Sequence, residues 1–381
     1  MASTGPGDGS TAPRERIKCF LVDYGVPRAC NLACRYCRPK SPPVHSGGKG
    51  DIDIAIHGLD IISRHVDAVM FKSSGWGEIT IVPNYIALFR AARARGFEVL
   101  QLITNGVNFP HDDRLQELSE MGHFSMQLSL DGADAAANAH RFWQNPKLFD
   151  RVKANLEHAA RKRVPLEVNA VITSLSIDHF EDLLRYLLDL RERYAVPMQC
   201  LPRPVQLGRA DEAFVATPGS IAIDRFEESI LARYSRYKDI LPPLRYLEGF
   251  VAFMRSQTRL WQPFDTATRV VVGEKGNLSL PGTGEVLGNV FTSDPMELFA
   301  ARAARHCSQG DTAFGVRMTQ FEPHSLFLGG EIGWEEMARI PSCDNPVARE
   351  RLTALRACVR RERSTDTMAA IAVQSSPSGI Q

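Results

Sequence analysis

The sequence predicts an α/β fold built on a parallel β-sheet, and three observations support this. Between residues 17 and 205, short apolar runs alternate with longer amphipathic stretches, which is typical of repeated strand–helix units. Several amphipathic stretches have Asp or Pro near their start, where the free amide groups of a helix favour these residues. Of the 381 residues, 44% are apolar and 23% are charged, so the chain can bury a large core in one or two domains.

The alternating region contains six predicted strands and five predicted helices. The strands are expected at residues 18–22, 68–72, 98–104, 125–130, 166–172 and 197–201. The helices are expected at residues 52–65, 83–95, 112–121, 146–163 and 178–194. Such units form either an open doubly wound sheet or an incomplete barrel, and in both folds ligands bind at the carboxyl ends of the strands. The residues that directly follow each strand are therefore the candidate site residues.

The character of the sequence changes after about residue 208. Helices are expected at 219–238, 244–256 and 295–305, with a glycine-punctuated hairpin, RVVVGEKGNLSL, between the second and the third. Both ends of the chain are rich in small and polar residues, which is typical of disorder. We therefore predict four segments: a disordered tail at 1–13, the main α/β domain at 14–207, an α+β extension at 208–363, and a second disordered tail at 364–381.

Charge and hydropathy exclude several classes of partner. Lys and Arg number 45 and Asp and Glu number 44, so no broad positive field favours nucleic acid or an anionic membrane. No apolar run is long enough to span a bilayer, and the first residues lack the features of a secretory signal. We expect a cytoplasmic protein.

Three of the eight cysteines lie in one loop directly after the first predicted strand. In PRACNLACRYCRPK, Cys30, Cys34 and Cys37 have the spacing C-x3-C-x2-C, and basic neighbours favour their thiolate forms. This arrangement predicts a metal site. A structural zinc ion requires a fourth ligand, for which His45 is the nearest candidate. A [4Fe–4S] cluster normally has four thiolate ligands, so three would leave one iron free to bind a small molecule.

The cysteine spacing, with Tyr36 before the last cysteine, resembles the motif of the radical S-adenosylmethionine (SAM) enzymes. The resemblance implies an incomplete (β/α)6 TIM-like barrel in which Cys30, Cys34 and Cys37 bind one [4Fe–4S] cluster. It also implies that SAM binds the fourth iron through its amino and carboxylate groups. An external donor such as flavodoxin or ferredoxin would supply an electron that cleaves SAM, and the resulting 5′-deoxyadenosyl radical would remove a hydrogen atom from the substrate.

Further segments at predicted strand ends resemble the SAM-binding segments of that family. Gly75-Trp76-Gly77-Glu78 looks like its Gly-Gly-Glu segment, and there the carboxylate is expected to accept hydrogen bonds from the ammonium group of SAM. By the same resemblance, Ser129 would contact the ribose and Arg141 the carboxylate of SAM. The turns at Asn-Gly and Asp-Gly are also common simple connections, and Asp131 is equally a candidate helix cap. The expected SAM contacts are Tyr36, Gly75, Gly77, Glu78, Asn105, Ser129, Arg141 and Leu201.

The extension resembles the twitch or SPASM domains of one radical SAM subgroup, which carry additional iron–sulfur clusters. LPGTGEVLGNVF and PSCDNP look like two of its segments, but Gly282 stands where that subgroup has a cysteine. Thr283 replaces the aspartate base of the sulfatase-maturing members, which weakens that activity as a prediction. Only Cys307, Cys343 and the doubtful Cys358 are left as ligands, so we predict a degenerate extension without an auxiliary cluster.

These observations predict a radical SAM enzyme acting on an unactivated C–H bond. Only 29 residues precede Cys30, which favours a small metabolite, a sugar or a natural-product intermediate over a ribosomal peptide that a maturase would modify. Whether the reaction is that of an oxidoreductase, an epimerase or a lyase stays open. Cys200 and Cys307 are candidates for returning a hydrogen atom, although a cysteine within a strand is more often an ordinary core residue. The non-enzyme alternative is a binding or scaffold protein stabilised by zinc.

Overall fold

A computed structural model of the chain describes residues 16–26, 29–37, 50–74, 77–205, 215–256, 269–273, 275–280, 285–306 and 323–374. The strands are β1 (Ile17–Lys18), β2 (Leu21–Gly25), β3 (Val66–Asp67), β4 (Met70–Ser74), β5 (Val99–Thr104), β6 (His123–Ser129), β7 (Leu166–Ile172), β8 (Met198–Pro204), β9 (Arg269–Val272), β10 (Asn277–Ser279) and β11 (Val286–Asn289). The helices are α1 (Ile52–His65), α2 (Ile86–Ala94), α3 (Asp112–Glu120), α4 (Ala139–Phe142), α5 (Leu148–Arg161), α6 (Phe180–Tyr194), α7 (Ser220–Ala232), α8 (Tyr234–Tyr237), α9 (Leu244–Ser256), α10 (Pro295–His306), α11 (Pro323–Gly329), α12 (Trp334–Met337) and α13 (Pro346–Gln374). Two short 3-10 helices, Ile79–Ile81 and Ile177–His179, follow β4 and β7.

Nine of the described strands form one sheet in the order β11-β10-β9-β2-β4-β5-β6-β7-β8. From β2 to β8 the strands are parallel and follow one another in chain order. The outer neighbour of β2 is β9, not β8, so these strands form an open sheet. This confirms the predicted incomplete (β/α)6 barrel.

The sheet has two faces of opposite chemistry, because successive side chains of a strand point to opposite sides. What we call the outer face packs against the helices, and its central side chains are fully buried: Phe71, Leu100, Met126, Val168 and Cys200. What we call the inner face is predominantly polar. The residues of β4 to β8 on this face that border a narrow cavity include Lys72, Gln101, Gln127, Glu167, Leu201 and Arg203, while Gln199 lies on the same face without lining the cavity. Since strand pairing fixes which residues face together, this division runs through all the strands from β4 to β8.

Helix α1 illustrates how local sequence determines these elements. The Asp51 side chain accepts hydrogen bonds from the backbone N–H groups of Asp53 and Ile54, at 2.9 and 3.2 Å, and so caps the first turn. Ala55, Leu59 and Ile62 recur at helical spacing and are buried. The predicted bounds of this helix, 52–65, are confirmed.

The first strand lies further along the chain than predicted. Residues 17–18 pair with β3, and the chain then bends at Phe20 before β2 begins at Leu21. The backbone N–H groups of Val69 and Met70 both donate to the Phe20 carbonyl, at 3.2 and 3.0 Å. Residues 17–18 and 21–25 pair with different strands, so the segment predicted as one strand at 18–22 is divided between two.

The extension shares the main sheet. The predicted hairpin is confirmed, because β9 and β10 are antiparallel, but β9 also pairs in parallel with β2. The extension also closes one end of the inner face, where the backbone N–H of Ser342 donates to Glu167 Oε1 at 3.1 Å. Helix α13 continues to Gln374, so the tail predicted as disordered from 364 is helical over that stretch. No helix in the described ranges combines the length and apolar character needed to cross a bilayer.

Candidate active site

The cysteine loop, residues 29–37, lies at the carboxyl end of β2 and is tied to two neighbouring segments. The backbone N–H of Glu78, after β4, donates to the Ala29 carbonyl at 2.9 Å. The backbone N–H of Arg35 donates to the carbonyl of His140, in α4, at 3.0 Å. The Trp143 indole, which directly follows α4, donates to the Ala33 carbonyl, and the Arg35 guanidinium lies 5.2 Å from the centre of its ring. No sequence pattern indicated this support by α4, because the contacts are made only in the fold.

The three cysteines of the loop are half-buried free thiols. Burial raises the pKa of Cys30 and of Cys37 to about 11 and that of Cys34 to about 12. Arg141 opposes this rise at Cys34 and Cys37, because a nearby cation stabilises a thiolate. At Cys30, the backbone N–H of Leu32 and the side chain of Asn105 donate to Sγ, at 3.4 and 3.5 Å. The thiols must therefore lose their protons when a metal binds.

The arrangement of the thiols distinguishes the two metal hypotheses. Among the described residues, no three Cys, His, Asp or Glu side chains converge on a point where one metal ion could bind them all. A tetrahedral zinc ion requires sulfur atoms within about 4 Å of one another. A [4Fe–4S] cluster binds each thiolate through a different iron, so its ligands need no common point. The loop supplies three thiolates, which fit a [4Fe–4S] cluster that keeps one iron for another ligand, whereas zinc needs a fourth ligand and its candidate His45 lies outside the described residues.

Asp131 connects the cysteine loop to the barrel. Its carboxylate accepts hydrogen bonds from the Tyr36 hydroxyl, from the Arg141 guanidinium at 2.8 Å and from the backbone N–H of Val171 at 3.0 Å. Asp131 and Arg141 are both buried, and the guanidinium lies 5.7 Å from the centre of the Tyr36 ring. This buried ion pair joins the loop to α4 and β7. The structure thus gives Asp131 a larger role than the helix cap that the sequence left open.

Arg141 is expected from the sequence to bind the carboxylate of SAM, and the structure pairs it with Asp131. Its Nε and Nη2 atoms donate to Asp131, whereas a guanidinium has five N–H donors. Binding a second carboxylate would therefore use the other three donors and would leave the ion pair intact. In the structure, Arg141 positions Tyr36 and stabilises the charge near Cys34.

Glu78, expected from the sequence to contact the ammonium group of SAM, also holds the segments after β4 and β5 together. It is buried, and its carboxylate accepts from Thr80 N, Thr80 Oγ1 and Thr104 Oγ1 and, at 2.6 Å, from Asn105 N. Burial raises its pKa, and these four hydrogen bonds oppose the rise. Three of these hydrogen bonds end on Oε1 and one on Oε2, so Oε2 keeps an acceptor site that the ammonium group of SAM could use.

The other predicted SAM contacts lie where the strands end. Asn105 directly follows β5 and donates both to Cys30 and to Asn31, the latter at 2.7 Å, so it contacts the cysteine loop itself. Ser129 is the last residue of β6, and Leu201 lies on the inner face of β8. Gly77 follows β4, whereas Gly75 lies outside the described residues.

A glycine is required in the turn after β5. Gly106 has a φ of 79°, in the left-handed region that other residues rarely adopt. The turn at Asn105-Gly106 thus has the same backbone conformation as an ordinary connection between a strand and a helix.

Of the two proposed hydrogen donors, the structure describes Cys200. Cys200 is fully buried on the outer face, opposite Val168, while Leu201 beside it faces the cavity. It is therefore a core residue and not a hydrogen donor. Cys307 lies outside the described residues. Cys343, a predicted remnant of the auxiliary site, is buried with its Sγ 3.3 Å from Nε2 of His324.

The sequence interpretation missed the polar inner face. Its side chains border the cavity together with residues of the extension, which are Pro323, His324, Ile340 and Ser342. The signal was present, because polar residues occupy every second position of strands such as SMQLS in β6 and LEVN in β7. The alternation alone did not predict a cavity, because the extension that closes this face is brought there only by the fold.

Comparison with known proteins identifies the main domain. Residues 24–187 match the radical SAM superfamily. This region belongs to that superfamily. Over 170 residues the chain is 29% identical to neomycin C epimerase of Streptomyces fradiae, covering 42% of this chain and 53% of that enzyme. Over 233 residues it is 26% identical to the sporulation killing factor maturation protein SkfB of Bacillus subtilis, covering 58% and 50%. The chain thus spans about half the length of these relatives.

A solved structure resembles more of the chain than the radical SAM region alone. Polyhistidine-tagged anSMEcpe with bound AdoMet superposes with a TM-score of 0.58, covering 85% of this chain and 98% of that one at 16% identity. At this identity the likeness shows the fold. It confirms the fold class, a partial barrel followed by an extension.

Proposed function

We propose that the chain is a radical SAM enzyme that cleaves SAM reductively and removes a hydrogen atom from a small polar metabolite, such as a sugar or a natural-product intermediate. The observation that carries this proposal is the loop of three free cysteines at the carboxyl end of β2, in a region of the radical SAM superfamily. Asn105 and Ser129 lie at the ends of neighbouring strands, where a ligand of the cluster would bind.

In this proposal Cys30, Cys34 and Cys37 hold one [4Fe–4S] cluster, which supplies the electron that cleaves SAM when both are bound. Asn105 orients Cys30 through its hydrogen bond to the sulfur. Arg141 stabilises the thiolate charge near Cys34, and its ion pair with Asp131 fixes Tyr36. The remaining SAM contacts would come from Ser129 and Leu201.

The inner face supports a small polar substrate. It offers amide, ammonium and carboxylate groups in a cavity of about 10 Å3, about the space one water molecule requires. This space is too small for either class of substrate, so the preference rests on the chemistry of the side chains: a substrate with several hydroxyl groups would satisfy amide, ammonium and carboxylate groups. One relative is named as an epimerase of neomycin C, which agrees with this preference.

A peptide substrate is the second candidate. The match to the maturation protein SkfB covers 58% of this chain, more than the radical SAM region itself, and this favours a maturase. A zinc-stabilised scaffold is the third candidate, and it requires a fourth ligand that the cysteine loop, residues 29–37, does not supply.

Anaerobic purification followed by metal analysis and incubation with SAM and dithionite tests the proposal. We expect about four irons and matching sulfide per chain and the release of 5′-deoxyadenosine. Cys34→Ala should abolish both, whereas Cys343→Ala, which removes a cysteine outside the loop, should retain the iron. Stoichiometric zinc without iron, or iron without SAM cleavage, would contradict the proposal.

Isotope transfer then separates the two substrate classes. A deuterated metabolite that passes its label to 5′-deoxyadenosine identifies a small-molecule enzyme. Transfer from a peptide, and from none of the metabolites tested, would support the maturase instead.

A further inference from the structure

The extension contains a groove between α11, α12 and α13, with a volume of about 550 Å3, which is within the usual range of small-molecule pockets. Two aromatic rings and four arginines line it: Phe327, Trp334, Arg349, Arg356, Arg360 and Arg361. Helix α13 is attached through Arg351 to Asp67, shortly before β4 begins, whereas the cysteine loop follows the carboxyl end of β2. The groove is therefore separate from the candidate active site.

Arg356 is the half-buried arginine of the groove, while the other three are exposed. Its guanidinium lies 4.6 Å from the centre of the Phe327 ring, and its Nε is buried without a hydrogen-bond partner in the described structure. Burial and the nearby charge of Arg360 lower the pKa of Arg356 below its ordinary value. A cation that loses water without gaining a partner destabilises the fold. An anion bound at the Nη atoms would offset this loss, because the charge of a guanidinium is delocalised over its three nitrogens.

Arg356 and Arg360 converge on Gly330, which directly follows α11. A Cβ atom at Gly330 would lie 3.4 Å from Nη2 of Arg356 and 3.8 Å from Nη2 of Arg360, so both nitrogens border the space that a side chain would occupy there. In the part of the chain that the structure describes, neither guanidinium forms a hydrogen bond or an ion pair. Two neighbouring cations repel each other, and an anion between them would bind both.

No acidic side chain lines the groove among the described residues. Four glutamates with described side chains lie on α12, on α13 or in the turn before α12, and all are outside the lining: Glu331, Glu335, Glu336 and Glu350. Two of them pair with arginines elsewhere, Arg245 and Arg339. Arg361 has other partners, among them the carbonyl of Ala357. Even without Arg361, three positive charges remain in the groove, and this excess favours an anion.

The third cation, Arg349, extends the positive charge along α13. Its guanidinium lies 5.6 Å from the centre of the Trp334 ring, and Trp334 packs edge-on against Phe327. The two rings in contact thus position Arg349 and Arg356 on one wall of the groove. From Arg349 to Arg360 the helix axis advances about 16 Å, so a single small anion is too short to contact all three arginines.

We propose that the groove binds the phosphate chain of a small polyphosphate ligand, with one phosphate between Arg356 and Arg360 and the others directed towards Arg349. The planar fork of a guanidinium matches the oxygens of a phosphate, which favours this anion. An inorganic triphosphate and a nucleoside triphosphate carry the same chain. The site goes beyond the proposed function, since binding there needs neither cluster nor SAM.

Isothermal titration of the full chain with sodium triphosphate and with ATP, at an ionic strength held constant with sodium chloride, tests the proposal. We expect one triphosphate to bind per chain. Tighter binding of ATP, by an amount that is lost in variants of the groove, would identify the ligand as a nucleotide. Equal binding of the two probes would mean that the phosphate chain alone is recognised.

Arginine variants locate the binding. Arg356→Gln and Arg360→Gln should each raise the dissociation constant of triphosphate by about tenfold or more, because each removes charge-assisted hydrogen bonds. Arg360→Lys should retain part of the affinity. Arg151→Gln, which removes the same charge from an exposed position on α5, should bind like the wild type. Since Arg360 is exposed, its variants keep the test decisive if Arg356→Gln does not fold.

Three results would overturn the proposal. They are the absence of triphosphate binding to the wild type, equal binding to the wild type and Arg360→Gln, and tighter binding of a hexaglutamate peptide than of triphosphate. The last result would identify the groove as a docking site for an acidic protein segment instead.

Discussion

Along strands β4 to β8, the outer and the inner face of the sheet alternate residue by residue on the same backbone. On the outer face, Phe71 and Val168 are fully buried among apolar side chains of the core. On the inner face, the adjacent residues Lys72 and Glu167 are almost as buried but polar. The outer face gains free energy from burial, whereas the inner face buries polar groups, among them the Gln199 amide, whose Nε2 and Oε1 have no hydrogen-bond partner in the described structure. The difference indicates that stability depends on one face and binding on the other.

The largest change in the free energy of unfolding is expected for a substitution on the outer face. Phe71→Ala removes a ring that packs edge-on against Phe89 and Phe97, with centroids 5.5 and 6.0 Å away. We expect the free energy of unfolding to fall by about 3–5 kcal/mol, measured by urea denaturation. Gln101→Ala, on the inner face of β5, should lower it by less than about 1 kcal/mol. Equal losses in the two variants would mean that the faces do not differ in this way.

A smaller effect is expected at Cys200, where the sequence and the structure point to different roles. Cys200→Ser places a hydroxyl among apolar side chains of the outer face, and we expect it to lower the free energy of unfolding by about 1–3 kcal/mol. Cys200→Ala should fold better than the Ser variant and release as much product as the wild type. A folded Cys200→Ala that cleaves SAM but forms no product would restore this cysteine as the hydrogen donor.

The elements that the sequence predicted well are those with a local cause. Helix α1 has its cap at Asp51 and its apolar spacing within its own residues, so its bounds were predictable. The strand predicted at 18–22 was displaced, because its pairing with Val66 and Asp67 depends on residues about fifty positions away. The same holds for the site. The cysteine spacing was visible in one loop, whereas the ion pair between Asp131 and Arg141 and the four hydrogen bonds of Glu78 exist only in the folded chain.

A reversal of polarity on one strand would sharpen the comparison further. Gln127→Leu removes an amide that lines the cavity on the inner face of β6, so we expect the free energy of unfolding to stay within about 1 kcal/mol of the wild type. The reverse change at the next residue, Leu128→Gln, buries an amide on the outer face and should destabilise the chain. Two equally destabilised variants would mean that the two faces of β6 do not differ in their tolerance of polar groups.

The smallest effect concerns the attachment of the extension that closes the inner face. Arg351, in α13, donates two hydrogen bonds to the carboxylate of Asp67 in β3, at 2.7 and 2.8 Å. The Arg351 guanidinium lowers the pKa of that carboxyl below its ordinary value. Because the folded state then binds the proton less tightly than the unfolded state, the pair stabilises the fold above the unfolded pKa of about 4, and this contribution is lost as the pH falls through the folded pKa.

Asp67→Asn should therefore lower the free energy of unfolding by less than about 1 kcal/mol at pH 7, since the pair is partly exposed. The difference from the wild type should shrink towards zero at about pH 3, where the wild-type carboxylate is also becoming protonated. Urea denaturation of both proteins at the two pH values measures this. A loss of the same size at both would mean that the amide disturbs packing rather than charge, and that α13 is held to β3 without help from the ion pair.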